Sequence, residues 1–335
     1  MSNVRFAVAG VDTDAAKLFL NKLEDQDDLK LGALFPLEKF PEDYDAIRFR
    51  EKNYLIERLD DFDFSQAKIA IFFGSARNIK DAVFRASEEG CYIIDATGSL
   101  SGEDNTLLSI PEVNGRDIIS QADRILVSPH AGTIAVTLAM QGIADAFSLD
   151  ALSVTALESV SSLGASGASE LVGQTVSVLN GKPAVNKIYP TQVAFNIIPS
   201  SRIKGDFGNL NEQSVIEEIQ QFLGAPATTG SVSYHSLTVP VFYGHTYLVN
   251  FETSVDVSLS ELEEIWKNSE FIDYQTEEVV TPVTHGVDHE KICICELKKG
   301  LRPREFSFYM VMDNTLTGNA LNCIGILRQL VENVV

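Results

Sequence analysis

Few side chains in this sequence are equipped for covalent or proton-transfer chemistry. There are four cysteines and five histidines in 335 residues. A reactive cysteine needs an electropositive, partly exposed setting such as a helix N-terminus. Cys91 opens the apolar run Cys91-Tyr92-Ile93-Ile94-Asp95, and Cys323 falls within an apolar helical pattern, so both read as small buried residues. Cys293 and Cys295 alternate in Lys291-Ile292-Cys293-Ile294-Cys295, which places both thiols on one face of a strand. With His285 and His289 upstream they offer four zinc-type ligands. Cys-x-Cys is not the usual Cys-x2-Cys knuckle, however, and His285-Gly286-Val287-Asp288-His289 reads as a loop joining strands, so no metal is expected. Ser128-Pro129-His130 sets a hydroxyl beside an imidazole, but adjacent residues rarely form a productive dyad, and His130 reads as a turn residue. His245 has two readings: an acid–base group facing a cleft, or a histidine hydrogen-bonded inside a β core.

The elements that must hold these residues are legible in the hydrophobic pattern. Residues 4–9 read as a buried strand, Gly10 as a turn and residues 14–24 as a helix. A second strand (69–73), a helix (78–89) stopped by Gly90 and a third strand (91–95) follow, so a parallel, doubly wound α/β sheet is expected. Residues 133–147 form a long apolar helix. Beyond residue 150 the texture becomes α+β with a mostly antiparallel sheet. Residues 159–169 read as a small-residue turn around Gly164 and Gly167 that enters a helix, and residues 230–253 as paired strands. Ser258 and Glu261 form a capping box, and residues 318–334 a closing helix with Leu321, Ile324, Leu327 and Val331 facing inward. Such a sheet needs a cover on its second face, which a second subunit would supply.

Composition narrows the function. Apolar residues are 45% and charged residues 22%, ordinary for a globular protein of about two domains. The formal net charge of −21 disfavours nucleic acid and anionic membrane surfaces as partners. No apolar run approaches the roughly 20 residues of a membrane span, and no signal peptide is expected. Four scattered cysteines suit a reducing cytoplasm.

Several segments, in order and over nearly the whole chain, resemble the aspartate-β-semialdehyde dehydrogenases. They are residues 94–100 (IDATGSL), 110–114 (IPEVN), 127–133 (VSPHAGT), 194–199 (AFNIIP), 239–252 (VPVFYGHTYLVNFE) and 313–322 (DNTLTGNALN). The resemblance implies a Rossmann-like domain over 1–127 plus 316–335, and a catalytic-type dimerisation domain over 128–315. It also implies a thiolate that attacks aspartyl phosphate, and NADPH that reduces the resulting thioester. The family's Asn-Pro-x-Cys-x-Thr pattern falls on residues 128–133, with Ala131 at the nucleophile position. The substrate-binding arginine positions fall on Ser101 and Thr238, and the glutamine beside the nucleophile on Glu158. Only the general base survives, as His245. Of the Gly-x-x-Gly-x-x-Gly cofactor loop only Gly10 remains, with Thr13 flanked by Asp12 and Asp14. The next phosphate-side loop keeps Gly74, the run that would meet a 2′-phosphate is Phe35-Pro36-Leu37-Glu38, and the C-terminal Asn-x-x-Lys-Gly keeps Asn314.

A methyl group cannot form a thioester, and loss of a covalent nucleophile costs on the order of a millionfold in rate. The chain therefore reads as a Usg-type paralog, a dehydrogenase scaffold with a regulatory or binding role and no cofactor assigned. It would be a homodimer, or pair with an active relative as a hetero-dimer. The alternative is an NAD(P)-dependent oxidoreductase with residual or altered activity, using His245 as acid and NADP or NAD as cofactor.

Overall fold

The structure, a computed structural model, describes residues 3–120, 125–203, 211–224 and 231–333. Among these, the chain up to Pro129 together with Asn319 onward forms one compact unit, and His130 through Gly318 forms another.

The first unit is a seven-stranded parallel sheet. It contains β1 (Val4–Ala9), α1 (Asp14–Glu24) and β2 (Leu31–Glu38), then the hairpin β3 (Ala46–Phe49) and β4 (Lys52–Leu55). After β5 (Glu57–Arg58) come β6 (Ile69–Phe72), α2 (Ala76–Glu88) and β7 (Tyr92–Asp95). β8 (Thr106–Leu108), α3 (Pro111–Ser120) and β9 (Ile125–Val127) complete this part. The strand order is β5-β2-β1-β6-β7-β9-β8, the doubly wound arrangement. Central strands read as unbroken apolar runs because helices cover both faces: Phe6–Ala9 and Ile69–Phe72 are all buried. Gly10 stands at the turn for a packing reason. Its φ is +74°, and a Cβ there would lie 2.4 Å from the Phe73 carbonyl oxygen. The helix Leu321–Asn333 returns to pack on α1, α3 and β7. Asn322 Nδ2 of that helix donates to the Ser109 carbonyl (3.0 Å) and to Ser128 Oγ (2.8 Å). Its buried apolar face runs through Cys323, Ile324, Ile326, Leu327 and Leu330, whereas Leu321 and Val331 are half-buried. Ile324 and Leu327 thus face inward as expected, while the rest of the buried face lies beside the expected positions; a π-helical turn, Leu316–Ala320, leads into the helix.

The second unit opens with α4 (Ala131–Phe147), β10 (Leu149–Glu158) and α5 (Gly164–Leu179). β11 (Ile198–Pro199), α6 (Glu212–Leu223), β12 (Ser231–Thr238) and β13 (His245–Thr253) follow. Then come α7 (Leu259–Lys267), β14 (Ile272–Tyr274), α8 (Pro282–His285), β15 (Ile292–Lys299) and β16 (Glu305–Met312). The sheet order is β11-β12-β10-β13-β16-β15-β14, antiparallel except for the β10/β12 and β14/β15 pairs. Its core lies between the sheet and α4, α6 and α7. Trp266 of α7, fully buried, packs on Phe308 and donates its indole N–H to the Ala139 carbonyl of α4 (2.8 Å). The expected capping box is formed: Ser258 Oγ accepts from Glu261 N–H and the Glu261 carboxylate accepts from Ser258 N–H.

Two expectations are corrected here. The strands over 231–253 do not pair with each other, because β10 lies between them. Residues 239–244 cross the end of β10, where the Val241 and Phe242 carbonyls accept the Val160 and Ser161 N–H groups. Residues 159–169 are not a turn throughout. A 3-10 turn (Val160–Leu163) leads into α5, and Gly167 lies inside that helix where a Cβ would fall 2.4 Å from the Val160 carbonyl.

Candidate functional site

The second unit gathers most of the predicted site residues at the N-terminus of α4 and the ends of β10, β12 and β13. Ala131 is the first residue of α4. The helix end is an anion-attracting place, since its backbone N–H groups lack intrahelical acceptors. Here the chain's own groups fill it. His130 Nδ1 accepts the Gly132 N–H (3.0 Å), so His130 is the N-cap. Glu218 of α6 accepts the His130 N–H (3.1 Å) and the Thr133 hydroxyl (2.6 Å) on the same oxygen. The positive end of the helix is thus neutralised by an internal carboxylate. Gly132 is required by crowding, because a Cβ there would lie 2.3 Å from the Tyr234 hydroxyl.

Glu158 and Thr238 end their strands side by side as partners in the parallel β10/β12 ladder. Thr238 Oγ1 is hydrogen-bonded to Ser200 Oγ (3.0 Å). Glu158 is buried; its Oε1 lies 4.0 Å from His130 Nε2 and has no hydrogen-bond partner of its own. Burial pushes its carboxyl up to about 7; Glu212's charge adds to this and a Ser200 hydrogen bond opposes it. Burial likewise lowers the His130 pKa, against the pull of Glu218. The Tyr234 and Tyr247 hydroxyls are buried without partners and held well above their ordinary pKa by burial.

His245 opens β13. Its Nδ1 accepts the Ser159 N–H (3.1 Å) and lies 3.1 Å from Ser159 Oγ. A backbone N–H can only donate, so the neutral ring carries its proton on Nε2. Burial, reinforced by the neighbouring His130, lowers the His245 pKa to about 3. From Ser159 Oγ the chain of contacts runs to Ser161 Oγ (2.8 Å), which donates to Asn314 Oδ1 (3.0 Å). Asn314 is therefore joined to the histidine through two serines. His245 is therefore buried and hydrogen-bonded in a β core, with its ring N–H at Nε2.

Sequence reasoning missed Glu218, Ser159, Ser161, Ser200 and the two tyrosines. The alternation Glu158-Ser159-Val160-Ser161 held a signal for the serines. Glu218 held none, because only the packing of α6 on α4 brings it to the helix end. Ser101, Gly10, Thr13 and Gly74 belong to the first unit. Ser101 closes a turn on the Gly98 carbonyl (3.2 Å). Thr13 Oγ1 caps α1, accepting the Ala16 N–H (3.2 Å) and donating to the Gly10 carbonyl (2.8 Å). Gly74 leads into α2 at φ +102°. Asp12 and Asp14 are exposed around Thr13, and the Glu38 carboxylate faces the Asp12 N–H (3.4 Å).

A chain with this doubly wound sheet and this second mixed sheet has the architecture of a two-domain dehydrogenase. Residues 140–317 match the family model described as semialdehyde dehydrogenase, dimerisation domain. An aspartate-semialdehyde dehydrogenase of Shewanella violacea is 29% identical over 331 residues, 97% of each chain. A USG-1 protein homolog of Azotobacter vinelandii is 24% identical over 98% of each chain. The crystal structure of aspartate semialdehyde dehydrogenase II from Vibrio cholerae superposes with a TM-score of 0.92 at 26% identity, covering 100% of both chains. The chain belongs to the aspartate-semialdehyde dehydrogenase family, and the Usg-type label fits it.

The fold implies a nicotinamide dinucleotide. The residues at the loop after β1 do not fit NADPH. Asp12 and Asp14 would face the pyrophosphate, Asp14 already occupies the first turn of α1, and Glu38 would repel a 2′-phosphate. Among the described residues no helix is long and apolar enough to cross a membrane.

Proposed function

We propose that this chain is a non-catalytic member of its family, a dimeric binding or regulatory subunit that does not reduce aspartyl phosphate. The observation that carries the reading is the α4 N-terminus. A methyl group stands at Ala131, and Glu218 holds the amide and hydroxyl that an anion would otherwise engage. Around it, the ionisable groups just described are Glu158, Glu212, Glu218, His130, His245, Tyr234 and Tyr247, and none of these is a guanidinium that could grip a carboxylate or phosphate. An aspartate-like acyl phosphate would meet repulsion where active chemistry needs attraction.

Dimerisation is supported by an apolar face on α5 and the neighbouring loops. Val172, Val176, Leu179, Phe195, Ile197 and Phe242 are exposed there, beside a cavity of about 370 Å³. A family whose model is named for dimerisation would cover that face with a second copy. In this reading residues 1–127 plus 316–335 form the dinucleotide-type domain and residues 128–315 the dimerisation domain, in a reducing cytoplasm that suits four buried thiols outside any disulfide.

The test is NADPH oxidation dependent on β-aspartyl phosphate, with intact-mass detection of an acyl adduct, in the natural chain and in Ala131→Cys. Both are expected to stay at background, because a thiol beside Glu218 is held protonated. Removing the carboxylate in Ala131→Cys/Glu218→Gln should speed thiol alkylation at pH 7 by roughly tenfold, one pKa unit. Turnover by the natural chain at rates typical of working dehydrogenases would refute the proposal.

A further inference from the structure

At the edge of the second unit's sheet, far along the chain from the α4 site, three different ligand types converge. Asp273 and Cys293 are register partners in the parallel β14/β15 pair. Cys293 Sγ lies 3.9 Å from Asp273 Oδ2 and 3.9 Å from His289 Nδ1. The three donor atoms all lie within 4.8 Å of one another. In tetrahedral zinc, with Zn–S near 2.3 Å and Zn–N near 2.05 Å, sulfur and nitrogen stand about 3.6 Å apart. The two sulfur separations need only a few tenths of an ångström of closure.

The groups are also held in aim. Gln275 Nε2 donates to Asp273 Oδ1 (2.9 Å), which leaves Oδ2 turned to the thiol. The His289 carbonyl accepts the Thr317 hydroxyl (2.9 Å), and the preceding Asp288 N–H donates to Asp313 Oδ2 (3.0 Å). These contacts pin the loop that carries the imidazole. Outer partners of this kind fix ligand orientation in metal sites. Cys293 is buried while Asp273 and His289 are half-buried, so an ion has a route from solvent. The four-residue set suggested by sequence is not the one assembled. His285 Nδ1 is bonded to Thr284 Oγ1 (2.7 Å) and its Nε2 pairs with Glu278 (3.3 Å), while its ring centroid stands 5.4 Å from that of His289.

We propose that Asp273, His289 and Cys293 form a binding site for a divalent transition metal of the zinc type, with the fourth position taken by water. The mixed sulfur, nitrogen and oxygen donors suit a borderline-soft ion in tetrahedral geometry and exclude magnesium or calcium, which take oxygen ligands. Binding converts the thiol to a thiolate and releases its proton to solvent. The ion staples the short edge strand β14 and the 286–289 loop to β15. The inference stands apart from the reading of Ala131 and neither supports nor needs it.

The test uses the full chain with its affinity tag removed, stripped with chelator and titrated anaerobically with Co²⁺, then displaced with Zn²⁺. One equivalent should give visible d–d bands of tetrahedral Co²⁺ and a near-ultraviolet thiolate charge-transfer band. Cys293→Ser should abolish the charge-transfer band, and Cys295→Ser should leave it intact. His289→Ala and Asp273→Asn should weaken binding at least tenfold, and Gln275→Ala by roughly 10–100-fold. Absence of the band at one equivalent, its survival in Cys293→Ser, or its loss in Cys295→Ser would overturn the site. Should Cys293→Ser fail to fold, the half-buried loop residue decides: an unchanged Co²⁺ affinity in His289→Ala overturns it.

Discussion

Replacing Glu158 by glutamine isolates the cost of a buried carboxylate at the end of β10. Its pKa rises from 4.5 to about 7 on folding, chiefly by burial. Between those values the native state keeps a proton that the unfolded chain has lost. The stability this proton contributes is fully present below pH 4.5 and is lost as pH rises through 7. Integrating the two titrations, the native state is disfavoured by about 1 kcal/mol at pH 5 and about 3 kcal/mol at pH 8. Glutamine does not titrate, so the stability difference between variant and natural protein should move by roughly 2 to 3 kcal/mol in the variant's favour from pH 5 to pH 8. Any constant penalty from placing an amide beside His130 cancels in that comparison. The assay is urea unfolding followed by fluorescence of the single tryptophan, Trp266, which is fully buried in the same unit. A difference that stays constant with pH to within about 0.5 kcal/mol would refute the buried-carboxylate argument.

The opposite slope is expected from His245, whose pKa falls from 6.5 to about 3. The unfolded chain takes up a proton first, so stability present above pH 6.5 is lost as pH falls, by about 3 kcal/mol between pH 7 and pH 4. His245→Gln should remove that loss, as read by urea unfolding at the two pH values. Gly132→Ala should cost about 1–3 kcal/mol by driving a methyl against the Tyr234 hydroxyl, and Tyr234→Phe should recover part of it in the double variant. Val176→Glu, on the exposed apolar face of α5, should convert dimer to monomer by light scattering without lowering the unfolding midpoint of the monomer.

How much of this was readable in the sequence depended on how local its causes are. The strand–Gly10–helix opening, the α7 capping box and the apolar core strands follow from period, caps and glycine, and these emerged where expected. The pairing of β12 was not readable. A six-residue link between two alternating strands suggests a hairpin, and nothing local announces that β10 will intervene. The family resemblance singled out Ala131 and His245 because each lies in a resembling segment, at the start of α4 and of β13. Glu218 sits 85 residues from its hydroxyl partner Thr133 and had no motif to mark it. Asp273 was likewise invisible beside the cysteine pair, since only the parallel register of a three-residue edge strand aligns it with Cys293.

The return of helix Leu321–Asn333 to the first sheet has a consequence for biosynthesis. The nucleotide-type unit is interrupted after Pro129 and receives its final helix only after Gly318 has been made. At roughly 5–20 residues per second, the ribosome takes on the order of 10–40 s to cross that interval. Throughout it, α3 and β7 lack the helix that buries their apolar side, while the contiguous second unit can already collapse. The first unit therefore completes its packing last, and a chaperone meeting the nascent chain would find α3 and β7 still without their final helix.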